Sequence, residues 1–240
     1  MLSKNTLDHT LLNGHVKIKQ LEHGFHVAID TVLAAAAVPN QSKAKIADLG
    51  AGVGGLSLCL KYRLPDADIT GIEIQPDYHA LAEQNAIENG FEKGLRFLCQ
   101  DIKDFKEIGY DIVVTNPPFL EEGSFITSPD SAKNTAIGDT HLDDWIHVAN
   151  RALKPGGTLV MIHRADYLQR IILAMGTKFG GIEVIPLYPK EGVACKRVII
   201  RALKGKKSSS KIHPGLIIHK QDGGYTEKAQ ALLRDGQALV

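Results

Sequence analysis

A chain of 240 residues, 44% apolar and 23% charged, can bury one substantial core and has the ordinary composition of a soluble globular protein. Its longest apolar stretch is broken by Asp30 and Pro39, which excludes a bilayer-spanning segment. Met1-Leu2-Ser3-Lys4-Asn5 leads into polar residues rather than the core of a signal peptide, and the net charge is only +1, though unevenly spread.

Residues 1–43 hold a hairpin, Leu11–Leu21 around Asn13-Gly14, then an apolar helix over Asp30–Val38. From Ala44 apolar runs alternate with amphipathic ones. Ile46–Leu49 reads as a strand ending in glycines, Leu56–Tyr62 as a helix and Asp68–Ile74 as a strand. Asp77–Asn89 has helical spacing through Leu81, Ala82, Asn85 and Ala86 and is closed by Gly90. Leu95–Cys99, Asp111–Thr115 and Thr158–His163 are further strands, with helices at Asp143–Leu153 and Asp166–Met175. Glu183–Leu187 and Lys196–Ala202 make a last pair of strands. Such alternation predicts an α/β fold, a mostly parallel sheet covered on both faces, spanning residues 44–204. Residues 205–240 form a basic extension expected to pack on that core, with a lysine/serine linker, the segment Ile212–His219 and a short helix near Glu227–Arg234. Leu120–Asp139 is a long polar segment directly after a strand, which suits a functional loop or disorder.

In sheets of this kind ligands bind at the carboxyl ends of the strands, so the residues there carry the chemistry. At the first is Asp48-Leu49-Gly50-Ala51-Gly52-Val53-Gly54-Gly55. Glycines let the backbone turn sharply and let a ligand approach the main chain. Gly50, Gly52 and Gly55 also satisfy the dinucleotide pattern, so this loop alone leaves the cofactor open. Glu73 ends the next strand, where a carboxylate can accept the ribose hydroxyls of any adenosine-containing cofactor.

The strand Asp111–Thr115 runs straight into Asn116-Pro117-Pro118-Phe119. Two prolines hold the backbone extended and supply no N–H donors, which fixes Asn116 at the strand end. Its side-chain oxygen and a backbone carbonyl are then available to accept from one NH₂ group, and Phe119 offers a flat face for stacking.

Asp48-Leu49-Gly50-x-Gly52-x-Gly54, Glu73, Asp101-Ile102 and Asn116-Pro117-Pro118-Phe119 stand in the order seen in Rossmann-like class I methyltransferases that modify exocyclic or amide nitrogens. With Gly24–Thr31, Ile162-His163-Arg164 and Lys196-Arg197 added, the whole chain resembles the bacterial tRNA (adenine-37-N6) methyltransferases that act on a valine tRNA. The resemblance implies a seven-stranded sheet, with Lys154-Pro155-Gly156-Gly157 as a structural turn. It implies S-adenosyl-L-methionine as cofactor: Gly50, Gly52 and Gly54 at its methionine part with Asp48 nearby, Glu73 and Ile74 at the ribose end, Asp101 and Ile102 at its adenine, and Asn116 beside it. The segment Phe25–Thr31 would cap the cofactor, Asp30 being the polar contact. Asn116, Pro117 and Phe119 would hold the target adenine as the catalytic residues. Many members have Tyr where this chain has Phe119, but stacking needs only the ring. No metal is implied, and His163 is read as a core or rim histidine rather than a catalytic base.

The partner expected is tRNA, for a cytoplasmic protein, favoured as a monomer. Lys190–Lys220 carries nine cations against Glu191 alone, a balance of +8 that leaves −7 elsewhere. It suits a polyanion, as would Lys133 in the long loop, and equally a solvated linker. Cys59, Cys99 and Cys195 lie apart in apolar segments and read as reduced core residues, and the other histidines share no metal-ligand spacing. Glutamine-N5 methylation of release factors and guanine-N2 methylation of rRNA are the nearest alternatives. The former enzymes usually carry an N-terminal helical domain, and only about forty residues precede the first core strand here. A non-catalytic RNA-binding module would need neither Glu73 nor Asn116, and an NAD-dependent reductase would leave Asn116–Phe119 unexplained.

Overall fold

The computed structural model of the chain describes residues 5–118 and 142–239. The first element is an antiparallel hairpin of β1 (Thr6–Leu11) and β2 (Val16–Leu21), with Leu12, Asn13 and Gly14 at positive φ in its turn. Helix α1 (Ile29–Ala37) follows, buried from Thr31 to Ala37. Its alanines allow close approach on both sides, to α2 (Gly55–Arg63) and to the C-terminal α6 (Glu227–Asp235).

The central sheet contains β3 (Lys45–Leu49), β4 (Asp68–Glu73), β5 (Leu95–Cys99), β6 (Tyr110–Thr115), β7 (Leu153–Arg164), β8 (Phe179–Lys190) and β9 (Arg197–Lys204). Their order across the sheet is β8-β9-β7-β6-β3-β4-β5. All pairs are parallel except those of β9, which runs antiparallel to both neighbours. These are the seven strands expected. The extension adds two short ones, β10 (Lys211–Ile212) and β11 (Leu216–His219), both on the outer side of β8, making nine. Gly215, at φ +87, separates them. The segment Lys154-Pro155-Gly156-Gly157 lies within β7 rather than before it, but the ladder is irregular there. Tyr110 faces Leu153 and Ile112 faces Thr158, so the run bulges out at Gly156.

Alternation along the inner strands sends side chains to two cores. Ile46, Ile112 and Val114 face α1, α2 and the hairpin; Ala47, Leu49 and Val113 face α4 (Leu142–Ala152) and α5 (Leu168–Met175). Asn85 of helix α3 (Pro76–Glu88) and Asn89, its C-cap, close the outer edge of β2. Lys19 N–H donates to Asn85 Oδ1 at 2.8 Å and Asn85 Nδ2 donates back to Lys19 O at 2.9 Å. One turn on, Asn89 repeats this with Lys17 at 2.8 and 2.7 Å. The (i, i+4) spacing of the helix thus matches the (i, i+2) spacing of a strand. Cys59 is a core residue, but Cys99 is exposed at the end of β5 and Cys195 half-buried in the loop before β9.

Candidate active site

The carboxyl ends of β3, β4, β5 and β6 open on one edge of the sheet. The turn after β3 takes a conformation open to glycine, with Gly50, Gly52 and Gly54 at φ +72, +57 and +87. Gly50 N–H and Ala51 N–H both donate to Ile72 O at 2.9 Å, which folds the loop back over β4. Gly54 caps α2. A Cβ on Gly52 would meet no atom within 4 Å, whereas one on Gly50 would lie 2.5 Å from the Trp145 ring. The loop is thus backed on one side by an indole from α4 and open at Gly52, as a cradle for a ligand requires. Trp145, a site residue that the strand-end motifs do not include, is marked in the sequence as the one tryptophan of the chain.

Asp48 is buried behind this loop and accepts from Ser57 Oγ at 2.7 Å. Burial pushes its carboxyl up to about 7. Glu73 stands at the front. Its two oxygens accept from Gly52 N–H and Gln75 N–H, each at 2.8 Å, so the carboxylate sets the glycine loop against β4. Each oxygen keeps a lone pair for a ribose hydroxyl. Ile74 beside it is exposed. At the end of β5, Asp101 Oδ1 accepts from Lys103 N–H at 2.9 Å and caps a short 3₁₀ turn, and Ile102 is buried in the core. Glycine cradle, acidic strand end and second acidic turn therefore line up on three successive strand tips and fit an adenosine-bearing cofactor.

Asn116 follows β6, fastened there by Thr115 Oγ1, which donates to Leu49 O at 2.9 Å. Its Oδ1 is buried and accepts no hydrogen bond among the described residues. Pro117 is buried and Pro118 exposed. Phe119 and the loop Leu120–Asp139 with Lys133 lie outside the described residues.

The segment ahead of α1 reaches the same edge. Val27 packs on Gly55, where a Cβ would come within 2.9 Å of it, and Phe25 N–H donates to Tyr78 Oη at 3.1 Å. Asp30 pairs with Arg197 at 3.1 Å, tying α1 to the start of β9. His163 is buried on β7 with its ring 4.8 Å from Tyr167, and burial holds its imidazole down to about 4. It is neutral near pH 7. No group of His, Cys, Asp and Glu suited to a metal ion occurs among the described residues, and none of their helices is long and apolar enough to cross a membrane.

The family model for the methyltransferase small domain matches residues 25–187. The chain belongs to that family. Its α/β sheet is the class I methyltransferase fold that the sequence motifs implied. Among curated relatives of this methyltransferase, the tRNA1(Val) (adenine(37)-N6)-methyltransferase of Aeromonas hydrophila is 23% identical over 84% of this chain and 86% of its own. That of Dyadobacter fermentans is 27% identical over 88% and 91%. Among solved structures, a predicted O-methyltransferase from Agrobacterium tumefaciens superposes with a TM-score of 0.74 at 25% identity, over 88% of this chain and 98% of that one.

Proposed function

We propose that this methyltransferase transfers a methyl group from S-adenosyl-L-methionine to the exocyclic N6 of an adenine in tRNA, adenine 37 of a valine tRNA being the favoured target. The observation that carries the reading is the buried Asn116 Oδ1, which accepts no hydrogen bond among the described residues. A buried acceptor without a donor costs about 1–3 kcal/mol and persists where a ligand satisfies it. A planar amino group is the donor that suits it, and relatives described as adenine-N6 methyltransferases of tRNA favour adenine as its bearer.

Bound at the glycine loop, the cofactor supplies an activated sulfonium methyl. What remains for the protein is to orient and desolvate, and effective molarities of about 10⁵ M or more make alignment the main contribution. Glu73 and the Gly50–Gly54 backbone hold the donor side. Asn116 Oδ1 and the Pro117 carbonyl hold the amino group and favour the positive charge that develops on nitrogen during attack. The Phe119 ring stacks on the base. The methylated nitrogen is acidic and loses its proton to water, so buried, neutral His163 need not act as a base. An adenine in an anticodon loop costs less to extrude than a paired one.

A second reading has support in the same acceptor. A glutamine amide also presents an NH₂ group, and the release factor glutamine methyltransferase of Chlorobaculum tepidum is 26% identical over 68% of this chain. Labelled S-adenosyl-L-methionine offered with bulk tRNA, rRNA or release factor separates the substrates. Asn116→Ala is expected to lower kcat on tRNA about 10²–10³-fold with cofactor affinity retained. A variant that methylates tRNA at the wild-type rate would remove Asn116 from the site.

A further inference from the structure

We infer that the free edge of the sheet, outside β8, is a docking track for the phosphate backbone of the RNA substrate; this rests on the RNA reading above. The nine cations of residues 190–220, clustered in sequence, are dispersed by the fold. Arg197 pairs with Asp30, Arg201 pairs with Glu183, and Lys204 Nζ donates to Leu153 O. Of the remaining lysines, Lys207, Lys211 and Lys220 follow the outer edge of β8. Lys206 crosses the amino end of the strand at Gly180 with its side chain turned back toward Gly156 of β7, and Lys207 leads on into Ser208, which is bonded to Gly181. Lys211 faces Glu183 midway, and His219 faces Lys190 at the carboxyl end, just before Lys220. From Gly180 to Lys190 this is roughly 33 Å at about 3.3 Å per residue, room for several consecutive phosphates.

The track is built into the sheet rather than hung from it. Gly181 N–H donates to Ser208 O at 3.0 Å, Gly205 N–H to Lys178 O at 2.8 Å, and His213 N–H to Val184 O at 2.9 Å. A Cβ on Gly180 would come within 2.1 Å of the Lys206 carbonyl oxygen, so the linker lies directly on the strand. Lys178, Lys206, Lys207, Ser208–Ser210, Lys211 and Lys220 are all exposed. Exposed lysines and serines supply donors to phosphate oxygens, contacts that position a strand without reading its sequence. The acidic groups along the edge are fewer: Glu183, already held by Arg201 and His213, and Glu191 and Asp222 near the carboxyl end.

The carboxyl end of the track lies on the same edge of the sheet as Asn116, with β8, β9 and β7 between them. Thr115 on β6 faces Met161 on β7, Arg164 three residues on faces Arg197, and Arg197 faces Leu187 on β8. A strand of RNA laid along the edge is therefore led to the same side of the sheet as the buried amide oxygen.

The test is the binding of bulk tRNA across a salt series, with the double variant K207E/K211E, with K220E, and with K93E as a control lysine at the far, β5 end of the sheet. Each track lysine lost is expected to lower the slope of log affinity against log salt by about 0.7–0.9, and the double variant to weaken binding roughly tenfold or more near physiological salt. Cofactor affinity by calorimetry and melting temperature should stay at wild-type values. A double variant with the wild-type slope, or an equal loss in K93E, overturns the track. So does loss of binding to phosphatidylserine vesicles with RNA binding intact, which would assign the edge to a membrane surface. Methyl transfer to tRNA by the wild-type protein is scored separately, so its absence would remove the RNA-methylation reading without being confused with the binding result.

Discussion

Asp48 and His163 are both buried near the site, and their titrations pull in opposite directions. The carboxyl of Asp48 is raised from 3.8 to about 7, chiefly by burial. Between those values the folded chain binds more protons than the unfolded one, so this group makes stability fall as pH rises, and its cost is complete above about 7. The imidazole of His163 is lowered from 6.5 to about 4, again by burial. There the unfolded chain binds more protons, so stability rises with pH from about 4 to 6.5. Asp48→Asn removes the first slope and leaves the second. Denaturant unfolding without cofactor from pH 4 to 7 should therefore show a variant gaining on the wild type as pH rises, by at most roughly 1.4 kcal/mol per unit. Parallel profiles would mean that Asp48 is not buried as a titrating acid. An aspartate kept despite that cost points to a role for its charge or hydrogen bond behind the glycine loop.

Among the elements, the asparagine pair of α3 and its C-cap has the clearest mechanical role. Asn85 holds both backbone groups of Lys19 and also donates to Val53 O at 2.9 Å, in the glycine loop. It therefore couples hairpin, helix and glycine loop through one amide. Removing it leaves the buried Val53 carbonyl and the partly buried Lys19 groups without this partner, the buried acceptor alone costing about 1–3 kcal/mol. Hydrogen exchange at the Lys17 and Lys19 amides should quicken in N85A/N89A while amides of β3 and β6 keep their protection. Uniform loss of protection would show instead that the hairpin unfolds only with the whole domain. Helical spacing placed Asn85 on the inner face of its helix, among Leu81, Ala82 and Ala86, but could not show a strand edge as its partner.

For the whole molecule, the site joins strand tips from separate parts of the chain, so a bound cofactor should stabilise all of them together. At a hundredfold excess over Kd, S-adenosyl-L-methionine is expected to add about 2.7 kcal/mol, raising the melting temperature by roughly 5–10 °C. The fluorescence of Trp145, the single tryptophan, packed on Gly50, should change in parallel. Saturating cofactor with neither response would remove the glycine loop as its cradle. The sequence by itself determined the α/β alternation, the seven core strands and the motifs at their ends. Local periodicity, glycine and proline act over a few residues, and residues at strand ends share one edge in any parallel sheet. Only the tertiary structure decided what those residues meet: Trp145 behind Gly50, Glu73 bridging two backbone amides, Asn85 closing β2, and the +8 segment split between internal pairs and a line of edge lysines. Each depends on the register between segments distant in the chain, which sequence spacing does not encode.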